Sequence, residues 1–157
     1  MKATISLVVL VGLVLVGTVN VSIGLSGSHP FLTQWGGSGP SSGSFYNPQN
    51  LAIDSHGNVY VTDLGNKRVQ KFDNDGTFLN AWGSGGTGAG EFNSPRGIAT
   101  YENFVYVVDS QLNRIQKFDT NGNFVTQWGS YGNEQGQFLL PTAITINKNG
   151  TILVVDT

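Results

Sequence analysis

The chain has 157 residues, 22 of them glycine, with no cysteine, one methionine and a net charge of −2. Glycine at about twice its usual share of roughly 7% signals many tight turns, while nine Phe, five Tyr and three Trp exclude a disordered glycine-rich linker. The lack of cysteine removes disulfides, thiolate metal sites and thiol nucleophiles, and the eight scattered basic residues form no stripe of the kind a nucleic acid requires.

The leader "MKATISLVVLVGLVLVGTVNVSIGLSGSHP" opens with Lys2 and carries no further charge through Pro30. Ile5 to Val16 is an apolar run with the length of a signal-peptide hydrophobic region. Counted on to Leu25 it gives 21 uncharged residues, enough to span a bilayer as a helix. Gly17, Thr18, Asn20, Ser22 and Gly24 dilute its second half and favour cleavage, whereas the missing Ala-x-Ala site keeps an anchor through residues 5–25 open. Residues 1–28 are therefore expected to form an N-terminal hydrophobic helix, either signal peptide or membrane anchor. Its positive end stays inside in both cases. The rest of the chain is then extracytoplasmic, secreted or held at the membrane.

From Phe31 the chain repeats itself. Trp35, Trp82 and Trp128 are spaced by 47 and 46 residues, and so are Phe45, Phe92 and Phe138, and Pro48, Pro95 and Pro141. Such coincident anchors divide the chain into copies at 31–77, 78–123 and 124–157, with a period that points to propeller blades. Each copy spells four short strands. "NLAID", "GIATY" or "AITIN" is the first, and "DSHGN" or "NKNGT" is a hairpin turn whose glycine takes the left-handed position. "YEN" shortens that turn in the middle copy. "VYVTD", "VYVVD" or "ILVVD" is apolar on both faces, as a strand sandwiched between two other sheets should be. "RVQKF" or "RIQKF" alternates and is expected to be an outer, half-exposed strand. A second turn, "DNDG" or "DTNG", leads to "TFLNAW" or "NFVTQW". The expected fold is all-β: four-stranded antiparallel blades forming an incomplete propeller of about three blades, the third truncated. One blade cannot bury both its faces, so copies are obligatory.

The stretch "NPQNLAIDSHGNVYVTDLGNKRVQKFDNDG" resembles the NHL repeat, with its Pro-x-Gly-Ile-Ala-Val-Asp, Gly-Asn-x-Tyr-Val-x-Asp and Asn-x-Arg-Ile-Gln-x-Phe elements. The resemblance covers residues 31–157. Asn50 and Ala143 replace the usual glycine, and Leu112 stands where the asparagine before Arg114 would be. The resemblance implies propellers of six blades, roughly 280 residues at this period, so the chain is expected to be a fragment of a longer protein. It also implies a choice of functions. The leading one is an exported binding or scaffold module for a protein, peptide or glycan. The other is a segment of an extracytoplasmic lyase or lactonase-like hydrolase whose catalytic residues lie in further blades. Cytoplasmic RNA-binding and ubiquitin-ligase-associated relatives fit neither the leader nor the scattered charge.

Alternating strand direction puts the short turns on one face and the long links, together with "DLGNKR" and "DSQLNR", on the other. Long loops on a rigid scaffold are where binding groups sit. On that face the residues that differ between copies, Gln49, Asn50, Arg96 and Thr142, are candidate contacts, and Arg96 suits an anionic partner. Trp35, Trp82 and Trp128 read either as an aromatic platform or as packing between blades. Asp63, Asp109 and Asp156 recur in every copy. That regularity marks them, with Arg68 and Arg114, as structural loop anchors; a calcium site is the alternative, since calcium prefers oxygen ligands. Catalysis has little support, because two distant histidines, His29 and His56, make no zinc site and no nucleophile–base set is present. Open blade edges are expected to favour self-association.

Overall fold

The structure, a computed structural model, describes residues 6–8, 22–24 and 34–157. The expected N-terminal helix falls mostly outside these residues; of that segment, β1 (Ser6–Val8) and β2 (Ser22–Gly24) are described, and they pair antiparallel. Among the described residues no helix is long and apolar enough to cross a membrane.

The remainder is all-β. A parallel pair, β3 (Gly37–Ser38) and β4 (Ser44–Phe45), lies in the first link. The first sheet runs in chain order through β5 (Pro48–Ile53), β6 (Val59–Asp63), β7 (Arg68–Phe72) and β8 (Phe78–Trp82), each strand antiparallel to the last. The second repeats it with β9 (Pro95–Tyr101), β10 (Phe104–Asp109), β11 (Arg114–Asp119) and β12 (Phe124–Trp128). β13 (Ala143–Ile146) and β14 (Ile152–Val155) form a two-stranded third sheet. Strand and repeat are out of phase, since β8 lies in the second copy of the sequence yet pairs with β7 of the first.

The turns form as their sequences require. Asp54, Asp73, Asp119 and Asn147 each accept, through Oδ1, the amides two and four residues on. The closing glycine of each turn has φ between +81° and +87°. In the "YEN" turn Glu102 takes φ +52° instead. Burial pulls the Asp54 carboxyl upward, but hydrogen bonds from the Asn58 side chain, the Tyr60 hydroxyl and two backbone amides outweigh it and hold the group below its usual value. The Tyr60 phenol is pushed up by burial and by that same hydrogen bond.

The sheets stack through their apolar faces, with β5 against β9 and β9 against β13. Tyr60, Val69, Phe92, Ile98, Val105, Val107 and Phe118 fill the first seam, with Trp82 against them. Ala99, Tyr106, Val108, Ile115 and Ile144 fill the second, joined by Trp128 and Val154. Phe45, Val59, Val61 and Phe72 form a third cluster with Trp35 on the far face of the first sheet. β6 is buried at every position, as its two apolar faces predict.

The third strands correct the sequence reading. They are not outermost, because β8 and β12 lie outside them. Nor is their polar face half-exposed: Gln70 and Gln116 are fully buried. The link loops fold over both glutamines and use their amides.

Candidate functional site

Antiparallel order places the β6–β7 and β10–β11 connections on one face of the stack with the links that precede β5, β9 and β13. This link face is the candidate binding surface, and its backbone is held from beneath. Asp63 Oδ1 accepts the Tyr46 amide at 2.8 Å, while Oδ2 accepts from Asn66 at 2.8 Å, Arg68 Nε at 2.9 Å and Gln70 Nε2 at 3.2 Å. Arg68 Nη2 donates to the Ser41 and Ser44 carbonyls. Gln70 Nε2 donates to Ser44 O at 2.7 Å, and its Oε1 accepts the Gly43 amide at 2.9 Å.

The second sheet repeats the clamp. Asp109 Oδ1 accepts the Ser94 amide at 2.8 Å and the Asn93 amide at 3.1 Å. Arg114 Nη2 lies 3.4 Å from Asp109 Oδ2 and donates to Gly88 O and Glu91 O; Nη1 donates to Thr87 O and Gln127 Oε1. Gln116 Nε2 donates to Glu91 O, and its Oε1 accepts the Gly90 amide. Burial pushes the Asp109 carboxyl above its usual value, with the two amides and Arg114 pulling against it. A buried carboxylate is tolerated only when hydrogen bonds and a cation satisfy it. In the third sheet Asp156 is exposed, and its Oδ1 accepts the Leu139 amide at 2.7 Å.

At the start of the innermost strands Asn50, Arg96 and Thr142 are exposed and Gln49 is half-buried. Gln49 Nε2 is tied to Asn47 O and Oδ1, and Asn50 Oδ1 accepts the Leu51 amide. Among the described residues the Arg96 side chain makes no ion pair; its carbonyl accepts Thr62 Oγ1 across the seam at 2.7 Å.

Trp82 and Trp128 lie in the seams between sheets and Trp35 on the far face of the first sheet. Trp35 packs on Phe72 with ring centroids 4.4 Å apart, Trp82 on Tyr60 and Phe118, and Trp128 on Tyr106. A Cβ on Gly76 would meet the Trp35 ring at 2.3 Å, and one on Gly122 the Trp82 ring at 2.6 Å. Each of these indoles therefore sits on the turn glycine of the sheet beyond it. The aromatic groups offered by the link face are instead Tyr46, 61% exposed, and Tyr131, 74% exposed, with Leu140 beside Pro141. Sequence reasoning passed over all three, and the available signal was that none recurs between copies. Among the described residues no cluster of three or more His, Cys, Asp or Glu side chains is placed to hold a metal. His56 is exposed in a turn on the opposite face, and His29 lies outside the described residues.

Four-stranded antiparallel sheets stacked on their faces, each joined from its outer strand to the inner strand of the next, define blades of a β-propeller. Residues 45–72 match the family model of the NHL repeat, so the chain carries an NHL repeat, and its anchors recur in register through the second sheet and into the third. No curated protein matches the chain. Among solved structures, a Bacteroides thetaiotaomicron protein of unknown function is similar at 21% identity and a TM-score of 0.66, over 88% of this chain and 40% of its own. A streptogramin B lyase is similar at 19% identity and a TM-score of 0.55, over 69% of this chain and 34% of its own. Myxococcus xanthus glutaminyl cyclase is similar at 13% identity and a TM-score of 0.52, over 71% of this chain and 44% of its own. The chain thus spans less than half the length of each. At these identities the likeness is one of fold.

Proposed function

We propose that the chain is an exported NHL-type β-propeller segment that binds a protein, peptide or glycan through its link face and serves as a binding or scaffold module. One observation carries this reading: exposed Tyr46 stands on a link whose backbone the Asp63–Arg68–Gln70 clamp fixes from below, exposed Arg96 opens the strand after the link that Asp109, Arg114 and Gln116 fix, and exposed Tyr131, Leu140 and Thr142 lie on the third link, whose Leu139 and Leu140 amides are held by Asp156 and Asn113. Loops ordered in advance lose less entropy on binding than free ones, and tyrosine gives large contact area with few rotors. Arg96 adds a cation for a carboxylate, sulfate or phosphate group.

Screening the full chain on glycan and peptide arrays, beside Arg96→Ala and Tyr131→Ala, tests the reading. A ligand whose retention falls about tenfold in either variant, as loss of a contact residue costs, at unchanged melting temperature supports it. Retention insensitive to every link-face substitution overturns it. Export is tested with a C-terminal tag: protease added to intact, wall-stripped cells removes the tag from an exported chain, and full protection places the chain inside. The second reading, a lyase- or hydrolase-like propeller, draws on fold likeness to the lyase and cyclase; turnover by this chain of any substrate bound at the link face would favour it.

A further inference from the structure

The first copy departs from the other two where its innermost strand begins. "YNPQN" stands where the second copy has "NSPRG" and the third "LLPTA". Asn47, Gln49 and Asn50 therefore bring side-chain amides that the repeat itself does not require. Thr62 departs as well, since its counterparts Val108 and Val155 carry no hydroxyl.

Each of the three amides is tied at one end. Gln49 Nε2 donates to Asn47 O at 3.3 Å and to Asn47 Oδ1 at 2.9 Å, and Asn50 Oδ1 accepts the Leu51 amide at 2.8 Å. Among the described residues no partner engages the opposite ends, Asn47 Nδ2, Gln49 Oε1 and Asn50 Nδ2. The strip thus offers a donor, an acceptor and a donor in chain order, on side chains ordered before any ligand arrives. Tyr46 precedes it. Its ring lies against the β6–β7 connection, where a Cβ on Gly65 would meet the Tyr46 side chain at 2.9 Å, and the residue is 61% exposed.

Thr62 joins this strip to Arg96. Its buried hydroxyl accepts the Asn50 amide at 3.0 Å and donates to the Arg96 carbonyl at 2.7 Å, so the two main chains run side by side across the seam. Arg96 is the second copy's counterpart of Gln49; it is exposed, and its guanidinium makes no ion pair among the described residues.

We propose that Tyr46, Asn47, Gln49, Asn50 and Arg96 form a subsite for an acidic oligosaccharide, a sugar chain bearing a uronate carboxylate. The inference rests on the link-face reading above and names its ligand class. Sugar hydroxyls donate and accept at once, and the alternating amide ends match neighbouring hydroxyls. An acidic peptide would present carboxylates in their place, and the strip's free acceptor, Gln49 Oε1, has nothing to receive from them. Arg96 and Asn50 Nδ2 both donate to the uronate, Arg96 through a charge-assisted bond. Tyr46 offers its ring to the apolar C–H face of the sugar.

Calorimetric titration of the full chain tests this with three probes: a short galacturonate oligosaccharide, its neutral methyl ester, and a polyglutamate peptide. The galacturonate should bind saturably, and esterification should weaken it about tenfold or more, the effect of losing a charged hydrogen bond. Arg96→Gln should weaken the galacturonate to a similar degree at unchanged melting temperature. Asn50→Asp keeps the acceptor for the Leu51 amide and turns the free donor into an anion. It should weaken the charged sugar by repulsion and the ester less, a split that a merely structural change would not produce. Absence of galacturonate binding, or binding indifferent to both substitutions, overturns the proposal. Polyglutamate binding as tight as the sugar also overturns it, by assigning the site to an acidic peptide. A link-face ligand lost in Tyr131→Ala but retained in Arg96→Gln and Asn50→Asp overturns this subsite while the link-face reading stands.

Discussion

The second and third sheets carry nearly the same strand in two environments. β10 is covered on both faces, so that Tyr106 and Val108 are buried by the sheet beyond it. β14 is covered on one: Ile152 and Val154 pack inward as Val105 and Val107 do, while Leu153 and Val155, the counterparts of Tyr106 and Val108, face outward. The residue types are alike and their surroundings are not. Burial at these positions is thus conferred by the neighbouring blade, and the strand supplies only the potential for it. This is how stability is distributed in repeat proteins, where each unit depends on its interfaces.

Paired substitutions sharpen this contrast, and the largest difference belongs to the outward apolar position. Tyr106→Ala removes a buried ring and should lower stability by about 3–5 kcal/mol, the range for a large aromatic cut back in a core. Leu153→Ala should stay within about 0.5 kcal/mol, as surface changes do. Chemical denaturation of the two variants decides it, and equal losses would mean that β14 is covered in solution.

The aspartates give the next contrast. Asp109→Ala strands the buried Ser94 amide and the half-buried Asn93 amide and leaves Arg114 with carbonyl partners only, a loss of about 3 kcal/mol, at the low end for breaking a buried ion pair. Asp156→Ala, exposed and without a cation, should cost less than about 1 kcal/mol. Comparable melting shifts for the two would break the comparison.

How far the sequence could carry this contrast differs by element. Turns and strands were legible because their determinants are local: an Asx residue, a glycine at positive φ, and a run of adjacent apolar residues that faces both sides of the strand. The doubly buried β6 was legible for the same reason. The clamps were legible only in part. Recurrence marked Asp63, Asp109, Arg68 and Arg114, but Gln70 and Gln116 look like the polar half of an alternating strand. Their burial depends on loops that begin about 26 residues earlier, and no local pattern reports where those loops fold. The tryptophans illustrate a related limit. Regular spacing says that a residue serves the repeat, and only the stack shows that the seam, rather than the surface, receives the ring. The surface aromatics Tyr46 and Tyr131 do not recur, so the period passes over them, and only the positions at which the copies differ bring them forward.

Glycines give a smaller contrast. Gly122→Ala sets a Cβ at φ +87° against the Trp82 ring at 2.6 Å, and should cost about 2 kcal/mol or more for strain and displaced packing together. Gly136→Ala meets nothing within 4 Å, leaving backbone strain of about 1 kcal/mol. Thermal melts rank the two, and a reversed ranking would show that the indole yields without loss.

The smallest effect is acid sensitivity, which contrasts the Asp54 turn with its Asn147 counterpart. The Asp54 carboxyl is held below 3.8 in the fold, so the unfolded chain binds the proton more tightly. Its contribution is fully present above 3.8 and is lost as the pH falls through the lower folded value. Asp109 runs the other way: its value is raised, so its contribution declines as the pH rises from 3.8 through the folded value. Asp54→Asn converts the turn to the form that Asn147 already has and should flatten the fall in melting temperature below pH 3.8. An unchanged acid limb would assign that fall to other carboxylates.

The placement of the tryptophans has a spectroscopic consequence. The chain holds three indoles, and each reports a different layer: Trp35 the far face of the first sheet, Trp82 the seam between the first and second, Trp128 the seam between the second and third. Emission from a protein is usually an average over sites that cannot be separated. Here, removing any two indoles leaves a lamp in one chosen layer, and quencher access during unfolding then times the opening of that layer alone. The molecule can be watched coming apart leaf by leaf, with no label added.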